Sequence, residues 1–239
     1  MEKRHLLYSG KAKEVYATDD PEVCLIYYKD AATAFNAQKR GEIADKGRLN
    51  NLISTHFFKL LHARGVETHF LNQAGPREML VRRLEIIKVE VVVRNITAGS
   101  LSQRLGVPEG IPLTPPVLEY YYKDDALGDP LVNDYHIRTF AWATTAELNA
   151  IARTALAVND ILSPYLNELD LLLVDFKLEF GRVQGRVVLG DEISPDTCRF
   201  WDTQSKEKLD KDRFRRDLGQ VAEAYQEIYR RLKGEESSV

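Results

Sequence analysis

The chain has 239 residues, 44% of them hydrophobic and 29% charged, and a formal net charge of -3. That supplies a substantial core for one large domain or two closely joined small ones, and nothing in it suggests disorder. An isoelectric point near 6.0 argues against broad nucleic-acid binding, which needs a basic excess, and no apolar run approaches the roughly 20 residues of a membrane helix.

From the N-terminus, HLLYSGKAKEVYATD and VCLIYYKD read as short strands with a glycine turn, and EMLVRRLEII followed by VEVVVRNI as two more. Between these pairs, DKGRLNNLISTHFFKLLHARG places Leu49, Leu52, Ile53, Phe57, Leu60 and Leu61 at helical spacing, with Gly65 as a stop. TAGSLSQRLG predicts a short helix. VPEGIPLTPPVLEYYYKDDALGDPLVND, rich in Pro, Gly and Asp, predicts a long irregular loop with a functional role. A Thr144–Glu147 capping box opens a helix over TTAELNAIARTALAVNDILSPYLNEL, with Leu148, Ile151, Ala152, Ala155, Leu162 and Leu166 on one face. LVDFKLEFG then predicts a strand, GRVQG a turn, and RVVLGDE the returning strand of a hairpin. DKDRFRRDLGQVAEAYQEIYRRLKG predicts one amphipathic helix facing inward through Phe214, Leu218, Val221, Tyr225, Ile228 and Leu232, and EESSV a frayed end. This order favours an α+β fold over a doubly wound sheet.

The strand at 172–180 carries the sharpest signal. Its period of two sends Asp175, Lys177 and Glu179 to one side, and Val174, Phe176, Leu178 and Phe180 to the other. With the hairpin turn near Val183, Asp191 falls opposite Asp175, so three carboxylates crowd one surface. Such crowding calls for a cation, and hard oxygen ligands with open positions suit Mg²⁺, with Glu179 and Asp191 as its ligands. The alternative is an ordinary solvated strand face with an internal Asp175–Lys177 pair.

Three other clusters are candidates. In YSGKAKEVY, Gly10 lets backbone amides approach phosphate while Lys11 and Lys13 balance its charge; a solvated hairpin is the alternative. In VVVRNITAGSLSQRLG, Arg94 ends a strand and Gly99 and Ser100 open a helix, which suits a phosphomonoester; otherwise Ser100 caps the helix and Arg94 pairs with Glu90. DEISPDTCRFWD places Asp196 and Arg199 in a loop where a second substrate would be held, and Lys123 and Asp129 in the Asp-rich segment suit similar work. Cys24 and Cys198 are expected to be packing residues, and His56, His62 and His69 lack a metal spacing. MEKRHLLYSG has no apolar signal core, so a cytoplasmic location is the default expectation.

Taken in order, YSGKAKEVY, KGRLNN, VVVRNITAGSL, KDDALGDP, VDFKLEFG and DEISPDTCRFWD resemble the SAICAR synthetases of de novo purine synthesis, in their compact bacterial form, over nearly the whole chain. The resemblance implies an ATP-dependent ligase joining L-aspartate to the carboxylate of CAIR, the carboxylated aminoimidazole ribotide, with ADP and phosphate released. It also implies a two-lobed architecture like that shared by ATP-grasp enzymes and protein kinases, divided here as a β-rich ATP-covering lobe at 1–84 and an α+β lobe at 85–239. By the same likeness Gly10, Lys11 and Lys13 cover the phosphates, Val15 and Leu84 flank adenine, and Glu179 and Asp191 hold Mg²⁺. Arg94, Ser100 and Arg199 receive the ribotide phosphate, while Lys123, Asp129, Asp175, Lys177, Asp196 and Arg215 surround the ribose, the imidazole and the transferring phosphoryl group. Bacterial members are commonly homodimers. Asn36, in KDAATAFNAQK, stands where some members carry Asp; an amide offers only neutral hydrogen bonds and stays outside the catalytic set. A small-molecule kinase that stops after phosphoryl transfer, and a non-catalytic nucleotide-binding regulator, are the competing functions.

Overall fold

The computed structural model describes residues 1–34 and 38–234; Asn36 and the EESSV end lie outside them. The N-terminal third contains β1 (Leu6–Ser9), β2 (Lys13–Ala17), β3 (Val23–Tyr28), a small hairpin of β4 (Ala31–Ala34) and β5 (Lys39–Glu42), helix α1 (Lys46–Ala63), β6 (Phe70–Gly75) and β7 (Glu78–Arg82). Five of these strands form an antiparallel sheet in the order β1-β2-β3-β7-β6. Buried Leu49, Ile53, Phe57, Phe58 and Leu61 set α1 against the core, and Gly65 takes a φ of 80° just past the helix end.

The break between the next two strands lies at Arg83–Leu84, earlier than the run EMLVRRLEII suggests. Strand β8 (Glu85–Ile96) belongs to the second sheet, and its Ile87, Val89, Val91 and Val93 are fully buried on one face. Helix α2 (Gly99–Leu105) follows. The expected irregular loop is largely a strand instead, β9 (Pro112–Tyr122), paired with β8 from Val89↔Tyr122 to Arg94↔Val117. Its prolines gather at the start, where missing N–H groups harm the ladder least, while VLEYYY supplies β-formers where pairing is continuous.

The remaining elements are β10 (Leu131–Val132), α3 (Asp134–Thr139), α4 (Thr145–Asn167), β11 (Leu171–Val183), β12 (Arg186–Gly190), β13 (Cys198–Asp202), α5 (Asp212–Arg215) and α6 (Val221–Lys233). The capping box of α4 is present, with Thr144 N–H donating to Glu147 Oε2 at 2.7 Å and Glu147 N–H to Thr144 Oγ1 at 3.2 Å. The second sheet runs β10-β9-β8-β11-β12, with β13 also paired to β11. Strand β11 is therefore central, and Phe176, Leu178 and Phe180 are buried in the main core beneath it, whereas a register shift between Leu173 and Asp175 turns Val174 from the expected face into a separate cluster with Ala98 and Trp201.

Two expectations change here. The β11–β12 turn centres on Gln184 and Gly185, both at positive φ, so Glu179 pairs with Gly190. Asp191 thus does not face Asp175, whose cross-strand neighbours are Arg94 on β8 and Arg199 on β13. The single terminal helix is also two, because Asp217, Gly219 and Gln220 all take positive φ between α5 and α6, leaving Leu218 exposed. Cys24 and Cys198 are buried free thiols, as packing residues should be. Among the described residues, no helix is long and apolar enough to cross a membrane. The fold is α+β, built on antiparallel sheets.

Candidate active site

Alternation along β11 carries one polar row past two clusters of charge. At the Glu179 end, Glu90 of β8 lies directly across the ladder, a like-charge pairing that is unfavourable by itself. Lysines resolve it. Lys177 Nζ reaches Glu90 and Glu179 at 2.7 Å each, and Lys123 Nζ reaches Glu179 at 2.8 Å and Glu90 at 3.7 Å. Burial raises the Glu90 carboxyl, and the facing Glu179 charge adds to that. Burial pushes Glu179 the same way, but Lys177 and Lys123 prevail and hold it well below the usual carboxylate range. Lys13, from β2 of the other sheet, bonds Asp191 and sits 2.9 Å from Glu192. Burial alone would lower its ammonium; the two carboxylates hold it raised.

Among the described residues, no three His, Cys, Asp or Glu side chains converge as a ready metal cage. The donor chemistry nevertheless fits Mg²⁺, which takes one or two carboxylates and completes its shell with water and phosphate. Glu179 and Asp191 each turn one oxygen to a lysine, while Glu179 Oε2 and Asp191 Oδ2 accept no hydrogen bond from the described residues.

At the Asp175 end the partners are arginines. Arg94 donates from Nη1 to Asp175 at 2.9 Å, from Nε to Glu119 at 2.7 Å, and from Nη2 to Ser100 and Tyr121 at 3.0 Å each. Arg199 donates to both Asp175 oxygens at 2.9 and 3.0 Å, and to Asp212 at 3.0 Å. Arg215 closes the chain on Asp212 at 2.6 Å. Burial would raise the Asp212 carboxyl, yet Arg199 and Arg215 hold it down at about 2. A cavity of about 770 Å³ opens beside this lattice, lined by Gly99, Arg199, Arg215 and Arg216 among others. Gly99 has φ +53°, and a Cβ there would run into the Arg199 guanidinium, so only glycine permits this approach. Arg199 Nη2 and the buried Ser102 Oγ lack partners among the described residues. Unpaired donors beside an arginine-rich cavity suit an anion.

The predicted residues divide between these clusters. Lys13, Lys123, Lys177, Glu179 and Asp191 meet at the first; Arg94, Ser100, Asp175, Arg199 and Arg215 at the second. Neither proposed alternative pairing forms: Lys177 serves Glu90 and Glu179 rather than Asp175, and Arg94 serves Glu119 and Asp175 rather than Glu90. Ser100 lies within α2 and accepts from Arg94, with Ala98 at the cap. Lys11 pairs with Asp125 at 2.7 Å on the surface, linking the glycine turn to the Asp-rich segment. Gly10 N–H donates to Lys13 O at 2.8 Å, closing the β1–β2 turn, and Val15 packs partly buried against the core. Leu84 lies over the β11–β12 hairpin, where a Cβ on Gly181 or Gly190 would meet it at 2.6 or 2.9 Å. Asp129, at φ 48°, accepts the Asp124 N–H and shapes its turn. Asp196 is buried behind the site on Lys46 at 2.8 Å and Tyr225 at 2.7 Å.

Glu119, Glu192 and Asp212 went unrecognised, and Glu90 was named only as an alternative partner of Arg94. Glu90 and Glu192 meet lysines far away in sequence and Glu119 meets Arg94 of the neighbouring strand, while Asp212, at the start of α5, joins Arg215 of its own helix to Arg199 of β13.

A family model described as SAICAR synthetase matches residues 6–232. The phosphoribosylaminoimidazole-succinocarboxamide synthases of Desulfitobacterium hafniense and Coprothermobacter proteolyticus are each 58% identical, covering 98% and 97% of this chain and 98% and 99% of their own. Among solved structures, the corresponding synthase of Ehrlichia chaffeensis has a TM-score of 0.94 at 45% identity, over 96% of this chain and 98% of that one. A SAICAR synthetase in complex with ADP has a TM-score of 0.94 at 47% identity, over 98% and 100%. These likenesses favour the ligase over the small-molecule kinase. The chain belongs to the SAICAR synthetase family, the ATP-dependent ligases that join L-aspartate to CAIR in purine biosynthesis.

Proposed function

We propose that the two clusters along β11 divide the work of this ligation, with ATP at the lysine-rich end and the ribotide at the arginine-rich end. The observation that carries the division is that one strand face delivers Glu179 to the first and Asp175 to the second, with Lys177 between. Gly10, Lys11 and Lys13 cover the nucleotide phosphates, and Val15 and Leu84 hold adenine. Residues 1–84 act as the covering lobe and 85–239 as the lobe bearing the metal and ribotide groups. Glu179 and Asp191 hold Mg²⁺ through their open oxygens, and the ion, when bound, supplies positive charge to the polyphosphate. Arg199, Arg94 and Ser100 receive the ribotide phosphate, while Asp129, Asp175, Asp196 and Arg215 order its surroundings.

A carboxylate resists attack by an amine until one oxygen becomes a leaving group. The reaction therefore runs by γ-phosphoryl transfer to the CAIR carboxylate, then attack of the aspartate nitrogen on the acyl phosphate with loss of inorganic phosphate. Lys177 and Lys123 stand where charge moves from ATP to CAIR, and fixed cations of this kind stabilise such a transfer mainly by position and field. A cytoplasmic homodimer, as in compact bacterial members, completes the reading.

Incubation with ATP, Mg²⁺ and CAIR tests it: ADP release should depend on L-aspartate and yield a product heavier by one aspartyl unit. A stable phosphorylated product formed without aspartate would overturn the ligase chemistry.

A further inference from the structure

Behind the two clusters lies a third group of charges, of which the division above uses only Asp196. Asp196 accepts from Tyr225 through Oδ1 at 2.7 Å and from Lys46 through Oδ2 at 2.8 Å, with Lys46 wholly buried. Each oxygen thus has one close donor. Lys211 approaches the same Oδ2 atom, but only to 3.5 Å, and forms no other ion pair among the described residues. Two ammonium groups therefore share one carboxylate, and the more distant one is weakly compensated. Burial lowers the Lys211 ammonium despite Asp196, as expected where the chain supplies too little negative charge.

Position and reach give this imbalance a direction. The Lys211 backbone is held at the start of α5, its N–H donating to Pro195 O at 3.1 Å and its carbonyl accepting from Arg215 N–H at 3.0 Å. Its side chain retains 12% exposure, unlike that of Lys46. Its chain neighbour Asp212 pairs with Arg199 and Arg215 of the arginine lattice, and the loop it bonds at Pro195 carries Ser194, whose hydroxyl donates to Glu192, the partner of Lys13. Lys211 is thus tied to both substrate ends. On the proposed division, the ATP phosphates meet Lys13 and the ribotide phosphate meets Arg199. The anion left to place is the dicarboxylate nucleophile.

We propose that Lys211 is a substrate-binding residue that receives a carboxylate of L-aspartate, an assignment resting on the ligase chemistry above. An incoming carboxylate completes the ammonium's bonding and brings the amine between the two ends. The partly desolvated setting favours a charged hydrogen bond of this kind.

Lys211→Met tests the assignment in the full-length chain. The KM for L-aspartate should rise at least about tenfold, the loss of one charged contact. ADP affinity by calorimetry and the KM for CAIR should stay within about twofold. Hydroxylamine, an amine with no carboxylate to bind, should still trap the acyl phosphate as hydroxamate at the wild-type rate, and Lys211→Arg should recover part of the aspartate affinity. An unchanged aspartate KM, or a CAIR KM rising in step with it, would overturn the proposal. Should Lys211→Met fail to bind ADP, Lys211→Gln is measured against the same outcomes. Wild-type protein that forms neither hydroxamate nor aspartyl product would defeat the ligase reading itself; a defect confined to the variants speaks only to Lys211.

Discussion

The Glu179 and Asp175 ends of β11 hold buried carboxylates by different means. Glu179 and its neighbour Glu90 are matched by lysines, compact point charges on flexible stems, one of which, Lys123, keeps 38% of its side chain exposed. Asp175 is gripped by two arginine forks, themselves tied to Glu119 and Asp212. Lysines can withdraw when a cation and phosphates arrive; planar forks with several bonds each cannot shift singly. On the proposed division, one end exchanges partners during the reaction and the other keeps its shape.

That contrast is breakable. Asp175→Ala leaves Arg94 and Arg199 buried without their shared counter-charge, so stability should fall by about 3–5 kcal/mol, read as a lower urea midpoint. A midpoint unchanged from wild type would show that the arginine lattice is not rigid in the sense argued. Glu179→Gln should have the opposite profile. Turnover should fall by about 10²–10³-fold, while the midpoint moves little, because Glu90 keeps Lys177 paired and Lys123 reaches water. Unfolding, with activity intact in the surviving folded fraction, would make Glu179 structural and erase the distinction between the ends.

Arg199→Ala sharpens the comparison, since Arg199 both joins the lattice and lines the cavity. Its loss should raise the CAIR requirement by about 1.5–3 kcal/mol, with the ATP requirement unchanged; equal CAIR dependence in variant and wild type would remove it from the ribotide site. A test by pH concerns Asp210, which faces Asp212, Arg199 and Arg215 and accepts N–H groups from Phe200 at 2.9 Å and Asp212 at 2.7 Å. Burial, with the Asp212 charge, pushes it up from 3.8 to about 7. A raised carboxyl contributes stability that is complete below its unfolded value and is lost as pH climbs through the folded one. Urea midpoints should therefore decline between about pH 4 and 7, and Asp210→Asn should flatten that decline. A slope indifferent to the substitution would locate its origin elsewhere.

Much of this was legible before any coordinates. Helices α1 and α4 follow from apolar spacing and, for α4, its capping box, since both signals lie within a few residues of one another. The β9 strand was obscured by prolines clustered at its entry, and the division of α5 from α6 by residues whose positive φ no helical periodicity reveals. Ordered motifs brought most of the site residues to notice, but not their partners.

Alternation alone determined that Asp175, Lys177 and Glu179 share a face of β11, because the direction of each side chain is a local property of an extended backbone. Register and topology decided the rest. A two-residue turn set Asp191 away from Asp175, β8 brought Glu90 and Arg94 alongside, and β13 delivered Arg199. Which counter-charge a buried carboxylate meets depends on strands distant in sequence, and that pairing governs whether its counter-charges are free to move or held fixed.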